Sequence, residues 1–248
     1  MKTKFTITFF AVILLLLNCN CTSADKKEKS RQLKQTASYK IKVAEPSGLT
    51  LTTDKKYLWT VSDQNSTAYL ITLDGKIIKS LKVNATDLEA VTVINDTTIA
   101  VVSEISGEII FVGYSGKVLK RVKTSFSNKK NNGLEGITYD RKSKHFFVLK
   151  EKNPAVLTEY DGKFKEISRK ELKFASDYSG LELSAEANEL WILSDENKSL
   201  YRCDLDGKVI ESFKTSITQA EGIAVDSNGK KIYVVSDIEE KLYVLEIK

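Results

Sequence analysis

Three glutamates recur at one position of a repeated motif, and their spacing suits a cation site. Glu135 stands in LEGITYD, Glu221 in AEGIAVD and Glu89 in LEAVTV, each just ahead of an apolar run. Two further copies, PSGLTL and YSGLEL, carry Ser47 and Ser179 at the same position. Carboxylates that converge on one narrow ring repel each other unless a cation lies between them. The pattern therefore predicts a cation site to which several repeats contribute.

The available side chains favour calcium over a transition metal. Calcium takes about six to eight oxygen ligands, which carboxylates, hydroxyls, backbone carbonyls and water can supply. Zinc and copper prefer histidine or cysteine, and beyond residue 21 the chain offers only His145 and Cys203. We therefore expect Ca²⁺ to be bound by Glu89, Glu135 and Glu221.

A second acidic position ends the second apolar run of each repeat, at Asp63, Glu104, Glu151, Asp195 and Asp237. The end of the second strand of an antiparallel hairpin lies beside the start of the first, so both acidic sets would meet on one face. We call the position of Ser47, Glu89, Glu135, Ser179 and Glu221 the ring position. Glu151 and Asp237 belong to repeats that carry a glutamate at the ring position, which makes them candidate metal ligands as well. The alternative is that these residues only cap loops by accepting hydrogen bonds from backbone N–H groups.

The repeat that carries these residues has the length of a propeller blade. Alignment of the five copies places the following residues in register, at intervals of 42, 46, 44 and 42 residues: Gly48, Ala90, Gly136, Gly180 and Gly222. Each unit holds short apolar and β-branched runs, typical of strands, separated by turn signals such as Asp-Gly at 74, 161 and 206. The sequence predicts an all-β fold, a five-bladed β-propeller whose first strands line a central channel.

The two ends of the chain are expected to close the ring. The fifth unit ends at Lys248 after its third strand, and an additional strand, SYKIKVA at 38–44, precedes the first unit. Pairing these segments in the last blade removes an open sheet edge. We therefore expect one propeller domain over residues 38–248, with the N-terminal strand as the outer strand of the last blade.

The first 37 residues differ in composition from the rest. Residues 1–21 combine Lys2 and Lys4 with an apolar run at 5–17 and then NCNC, and they resemble a bacterial lipoprotein signal. The run is shorter than the roughly 20 residues that a spanning helix needs. We expect export, acylation of Cys19 and a lipid anchor in a cell-envelope membrane, with secretion without a lipid as the alternative. Residues 22–37 are polar and predict a tether.

The net charge of +5 does not indicate a nucleic-acid partner. The first 37 residues hold seven of the 38 basic side chains and two of the 33 acidic ones, which leaves 31 of each from Ser38 onward. Nucleic-acid binding requires clustered lysine and arginine. We expect no nucleic acid, and a monomer whose protein or small-molecule partner the sequence does not identify.

Four segments resemble the SdiA-regulated family of exported bacterial propellers: EGITYD at 135–140, LSDEN at 193–197, EGIAVD at 221–226 and VSDIE at 235–239. The resemblance extends over nearly all of residues 38–248. It implies a five-bladed propeller with a bound calcium ion and a distant relationship to NHL-type repeats. It implies no defined reaction.

Two functions are consistent with these features. The first is a calcium-binding, membrane-tethered propeller that acts as a binding or interaction module. The second is a calcium-dependent hydrolase of lactones or phosphoesters, because a channel metal can polarise an ester oxygen and activate water. The general base of such an enzyme would have to be a carboxylate of the ring. The sequence identifies no catalytic residue.

Overall fold

The computed structural model describes residues 31–126 and 133–248, which form twenty strands in five four-stranded antiparallel sheets. The chain begins with β1 Leu33–Lys40. Blade 1 consists of β2 Pro46–Leu51, β3 Tyr57–Ser62, β4 Thr67–Thr72 and β5 Ile77–Lys82. Blade 2 consists of β6 Leu88–Asn95, β7 Thr98–Ser103, β8 Glu108–Gly113 and β9 Val118–Lys123.

The remaining blades follow the same order. Blade 3 consists of β10 Leu134–Asp140, β11 His145–Lys150, β12 Val156–Tyr160 and β13 Glu166–Glu171. Blade 4 consists of β14 Gly180–Ser184, β15 Glu189–Ser194, β16 Ser199–Cys203 and β17 Val209–Lys214. Blade 5 contains β18 Ala220–Val225, β19 Lys231–Ser236 and β20 Lys241–Ile247. The predicted five-bladed β-propeller is confirmed.

The N-terminal strand completes blade 5, but it starts earlier than its sequence suggests. β1 pairs antiparallel with β20, with Leu33 opposite Ile247 and Lys40 opposite Lys241. The strand therefore begins five residues before Ser38, within the segment predicted to be a tether. The reason is that an outermost strand is exposed on both faces, and here only Leu33 and Ala37 are partly buried. A strand in that position does not need the apolar residues that mark the inner strands.

The innermost strands β2, β6, β10, β14 and β18 contact one another around the channel. The small residue that recurs in each repeat has a steric cause there. A Cβ atom on Gly48 would lie 2.6 Å from Ala90 Cα, and one on Gly222 would lie 2.6 Å from Gly48 C. The channel at this waist leaves no space for a water molecule. The two mouths of the channel are therefore separate cavities.

Five apolar clusters fill the spaces between adjacent blades. Trp59 and Trp191, at equivalent positions of blades 1 and 4, are fully buried in two of these clusters. The Trp59 Nε1–H donates a 3.1 Å hydrogen bond to the Tyr114 hydroxyl of blade 2. Complete burial of a large apolar side chain contributes about 1.5–3 kcal/mol, so these clusters hold the blades in a fixed arrangement around the channel.

The signal segment proposed for residues 1–21, with its acylation site Cys19, lies outside the described residues. So does the tether as far as residue 30. In the two described stretches, no helix has the length and hydropathy that crossing a membrane requires.

Candidate metal centre

One mouth of the channel is a cavity of about 300 Å³ lined almost entirely by carboxylates. We call it the acidic mouth. Of the described residues, twelve Asp and Glu, two serines and one lysine line it: Glu45, Ser47, Asp63, Asp87, Glu89, Glu104, Glu135, Glu151, Lys152, Asp177, Ser179, Asp195, Glu196, Glu221 and Asp237. All five predicted metal ligands are in this set. The structure thus brings both acidic positions of the repeat to one face.

Hairpin pairing explains why the two acidic positions meet. Each ring residue stands at the start of an innermost strand, and each residue of the second set follows the end of the next strand. A backbone hydrogen bond joins the two ends: the Glu104 N–H donates to the Asp87 carbonyl oxygen at 2.9 Å. The Asp237 N–H donates to the Gln219 carbonyl oxygen in the same way, also at 2.9 Å. The second set is therefore fixed beside the first.

Sequence reasoning missed a third acidic position, two residues before the ring position, which holds Glu45, Asp87 and Asp177. The side chain of Asp87 lies close to two expected carboxylates, because ligand oxygens of Asp63, Asp87 and Glu89 all lie within 4.8 Å of one another. Three of the five repeats carry an acid at this position. The recurrence can be read from the aligned repeats, but the position lies just before the innermost strand and outside the apolar runs on which the alignment is based.

Two carboxylate oxygens of the acidic mouth have no hydrogen-bond partner in the described part of the chain. They are Asp87 Oδ2 and Asp237 Oδ1, and both are buried. A buried acceptor without a partner destabilises a protein by about 1–3 kcal/mol, and more when it is charged. A bound cation would satisfy both atoms, and the donor set, composed of oxygens, fits a hard divalent ion such as calcium.

The ring glutamates hold their protons more tightly than ordinary carboxyl groups. Burial, and then the carboxylates of Glu89 and Glu104, raise the pKa of Glu135 well above its usual value. Burial, and then the Asp63 carboxylate, raise the pKa of Glu89 to about 8. The pKa of Glu221 is also raised, first by burial and then by Glu89. Because ionised carboxylates are costly here, a divalent cation would exchange for protons on binding.

The chain matches one known protein family over most of its length. The model of the family described as SdiA-regulated matches residues 24–245. The chain belongs to the SdiA-regulated family. The resemblance predicted from the EGITYD and EGIAVD segments is therefore confirmed.

Solved structures similar to this SdiA-regulated protein share its fold. Glutaminyl cyclase from Myxococcus xanthus matches with a TM-score of 0.69 and 13% identity, over 88% of this chain and 97% of that chain. A streptogramin B lyase matches with a TM-score of 0.52 and 15% identity, over 86% and 72%. A chain of a nidogen/laminin complex matches with a TM-score of 0.56 and 14% identity, over 77% and 72%. At such identities the similarity concerns architecture alone.

The second acidic set of this SdiA-regulated protein is not uniform. Asp195 accepts the Ala220 N–H at 3.2 Å and pairs with Lys198 at 2.6 Å. Glu104 accepts the Gly133 N–H at 2.9 Å. These two residues therefore cap loops, as the alternative interpretation expects. Two other members of the set have surroundings that favour a cation: Asp237, which has an unpartnered oxygen, and Asp63, which lies beside Asp87 and Glu89.

The two serines of the ring connect neighbouring blades. The Ser47 hydroxyl donates to the Glu89 carbonyl oxygen at 2.8 Å, and the Ser179 hydroxyl donates to the Ala220 carbonyl oxygen at 2.7 Å. Both bonds cross from one innermost strand to the next. In these two repeats the ring position thus holds the strands together at the acidic mouth.

Proposed function

We propose that this protein is a calcium-binding, membrane-tethered exported propeller that acts as a binding module. The observation that carries the proposal is the lining of the acidic mouth. In the part of the chain that the structure describes, this lining has twelve carboxylates and one lysine, and two buried carboxylate oxygens have no partner. Such a concentration of like charge favours a bound cation over an empty cavity.

Calcium suits this lining better than the smaller divalent ions. Calcium accepts irregular sets of oxygen ligands, whereas Mg²⁺ demands near-octahedral geometry and keeps most of its waters. The residues that would hold the ion are the predicted set together with two neighbours: Glu89, Glu135, Glu221, Glu151, Asp237, Asp63 and Asp87. The ion would supply positive charge that links the innermost strands of several blades.

The charge of the acidic mouth also bears on the kind of partner. One divalent ion and Lys152 would leave the cavity with a large excess of negative charge. A partner that presents a basic group would be attracted to this face, and a phosphoester, which is anionic, would be repelled. Binding of a cationic group is therefore favoured over phosphoester hydrolysis. A neutral lactone is not subject to this repulsion, and the assay below tests it as a substrate.

The membrane tether rests on the sequence of residues 1–21. We expect labelled fatty acid to be incorporated into the full-length protein expressed in bacteria, and a Cys19→Ala variant to lose the label. Label that persists in Cys19→Ala and disappears in Cys21→Ala would show that Cys21 is the acylated residue. Absence of label from the unsubstituted protein would contradict the anchor.

The calcium proposal is tested by ion content and thermal stability of the protein stripped with a chelating resin. Calcium at about 100 times its Kd would raise the free energy of unfolding by about 2.7 kcal/mol. Glu135→Gln should reduce that increase, and Glu186→Gln, which changes an exposed carboxylate away from the acidic mouth, should not. Failure of calcium to bind or to stabilise the unsubstituted protein would overturn the proposal.

A lactone assay on the same samples addresses the enzymatic alternative. Turnover that requires calcium and is abolished in Glu135→Gln would establish a hydrolase in place of a binding module. We expect no such turnover.

A further inference from the structure

The opposite mouth of the channel is a second cavity, of about 390 Å³, with a different lining. Its floor is formed by four side chains, each three residues along the chain after the ring residue of its repeat: Thr50, Thr92, Thr138 and Glu182. All four side chains are buried. We call this cavity the threonine mouth. The closed waist at the glycines separates it from the acidic mouth, so it does not share a ligand with the proposed calcium site.

Glu182 is the chemically unusual residue of the threonine mouth. Its side chain is 7% exposed and accepts hydrogen bonds from the Thr50 and Thr138 hydroxyls, at 3.3 and 3.4 Å. Both bonds are long, and no salt bridge to Glu182 is formed by any residue in 31–126 or 133–248. Burial raises the pKa of Glu182 to about 8. The Thr50 hydroxyl and the Arg141 guanidinium act in the opposite direction and offset the effect of burial only in part. A buried carboxylate is costly without a cation in direct contact, and no described residue makes such a contact with Glu182.

The rim of the threonine mouth carries three basic and two acidic side chains. One of the acids, Asp140, accepts hydrogen bonds from the Lys142 N–H at 2.9 Å and from the Ser143 hydroxyl at 2.6 Å. Arg141 and Lys142 line the cavity, are exposed, and form no salt bridge with another described residue. Arg141 makes one hydrogen bond, from Nη2 to the Val93 carbonyl oxygen at 3.5 Å. The third basic residue of the rim, Lys55, is engaged at 3.4 Å by Glu186. The cavity thus combines an acidic floor with two unpaired basic groups at its entrance.

We propose that the threonine mouth binds a small zwitterion of the amino-acid type, with its ammonium group against Glu182 and its carboxylate towards Arg141 and Lys142. A cavity of 390 Å³ falls within the range of about 300–1,000 Å³ typical of small-molecule sites. A simple anion would meet the buried carboxylate, and a simple amine would leave both rim cations without a partner. A molecule that carries both charges pairs with both.

The test is calorimetric titration of the full chain with each of the twenty standard amino acids, in the presence of chelator. At least one should bind with a Kd below about 1 mM, which corresponds to about −4 kcal/mol. The N-acetyl derivative of that amino acid, which lacks the ammonium group, and its amide, which lacks the carboxylate, should each bind at least tenfold more weakly.

Three variants assign the binding to the proposed groups. Glu182→Gln keeps the shape of the side chain and should weaken binding at least tenfold. Arg141→Gln changes an exposed side chain and should weaken binding several-fold without affecting the fold. Glu171→Gln, which changes an exposed carboxylate on the outer strand of blade 3, outside the lining of the threonine mouth, is the control and should bind as the unsubstituted chain does.

Several results would overturn the proposal. They are the absence of binding by all twenty amino acids, equal binding of the N-acetyl derivative, and full affinity in both Glu182→Gln and Arg141→Gln. Because the titration is carried out without calcium, its failure is separate from any failure of the calcium site.

Discussion

Gly133 and Glu104 meet at the seam between the second and third blades, where the Gly133 N–H donates a 2.9 Å hydrogen bond to Glu104 Oε1. The contact is so close that a Cβ atom on Gly133 would lie 2.2 Å from Glu104 Cγ. Glu104 is 5% exposed and lines the acidic mouth. Glycine at residue 133 is therefore required for this carboxylate to occupy its place in the cavity wall.

Gly133→Ala should consequently displace Glu104 and disturb the acidic mouth. Overpacking of this kind destabilises proteins by about 1–3 kcal/mol, which urea denaturation would measure. Calcium affinity, measured by calorimetry, should fall as well. Gly113→Ala is the matched control, because a Cβ atom there would meet its nearest neighbour, Ser115 Oγ, at an ordinary 3.5 Å. Equal stability and calcium affinity in the two variants would contradict the steric argument.

The sequence predicted the ring glutamates and the fold for the same physical reason. The blade-length repeat sets the radial position of each motif, and the waist requires a small residue directly after Glu89, Glu135 and Glu221. Every copy of the repeat therefore shows this steric requirement as a small residue after the ring position. This explains why the convergence of the acidic side chains was predictable without coordinates.

Other features were missed because their physical signal is weak or lies outside the motif that was aligned. β1 is exposed on both faces, so residues 33–37 look like a tether although they pair with β20. Asp87 has a left-handed backbone conformation, with φ of 59°, just before its strand begins. An alignment based on apolar runs does not include that position. Glu182 was missed because a single acid in an apolar strand has no counterpart in the other repeats.

The pH dependence of the calcium-free protein follows from the raised pKa of the ring glutamates. A carboxyl group whose pKa is higher in the folded state binds its proton more tightly there, so folding is favoured at low pH. That contribution is complete below the ordinary value of 4.5 and is lost as the pH rises towards about 8, the pKa of Glu89. The calcium-free protein should therefore lose stability between pH 5 and pH 8, by an amount of the order of a few kcal/mol.

Urea denaturation at pH 5 and pH 8 measures this loss, with and without calcium. Calcium should restore stability at pH 8, where the ring is ionised, more than at pH 5. Glu89→Gln should reduce the loss in the calcium-free protein because the substituted side chain does not titrate. A calcium-free protein that is more stable at pH 8 than at pH 5, to the same extent in Glu89→Gln, would show that these carboxyl groups ionise without penalty.

Asp87→Asn tests the carboxylate that the sequence did not reveal. Asp87 shares its surroundings with Asp63 and Glu89, and its Oδ2 has no partner among the described residues. If this oxygen binds the ion, loss of its charge should weaken calcium binding at least tenfold, or by about 1.4 kcal/mol. The same substitution should stabilise the calcium-free protein, because it removes repulsion within the cluster.

The opposite signs of these two effects distinguish a ligand from a structural residue. Asp54→Asn is the control: Asp54 is an exposed acid that accepts hydrogen bonds within its own turn, from Thr52 Oγ1 at 2.7 Å. It should leave calcium affinity unchanged. An Asp87→Asn variant that loses stability with or without calcium, and binds the ion normally, would assign Asp87 a structural role.

Among the described residues that line the acidic mouth, Lys152 is the one basic side chain, and it would compete with a bound cation. Its Nζ lies 2.6 Å from Glu151 Oε1 and 3.8 Å from Glu196 Oε1. Substitution by glutamine removes a positive charge from the approach to the site and releases Glu151. Lys152→Gln should therefore raise calcium affinity by roughly three- to tenfold at low ionic strength, with a smaller gain in higher salt.

Lys163→Gln, which changes an exposed lysine in a turn of blade 3, should show no gain. Weaker calcium binding in Lys152→Gln would mean that the lysine orders Glu151 for the ion, and the competition argument would be wrong.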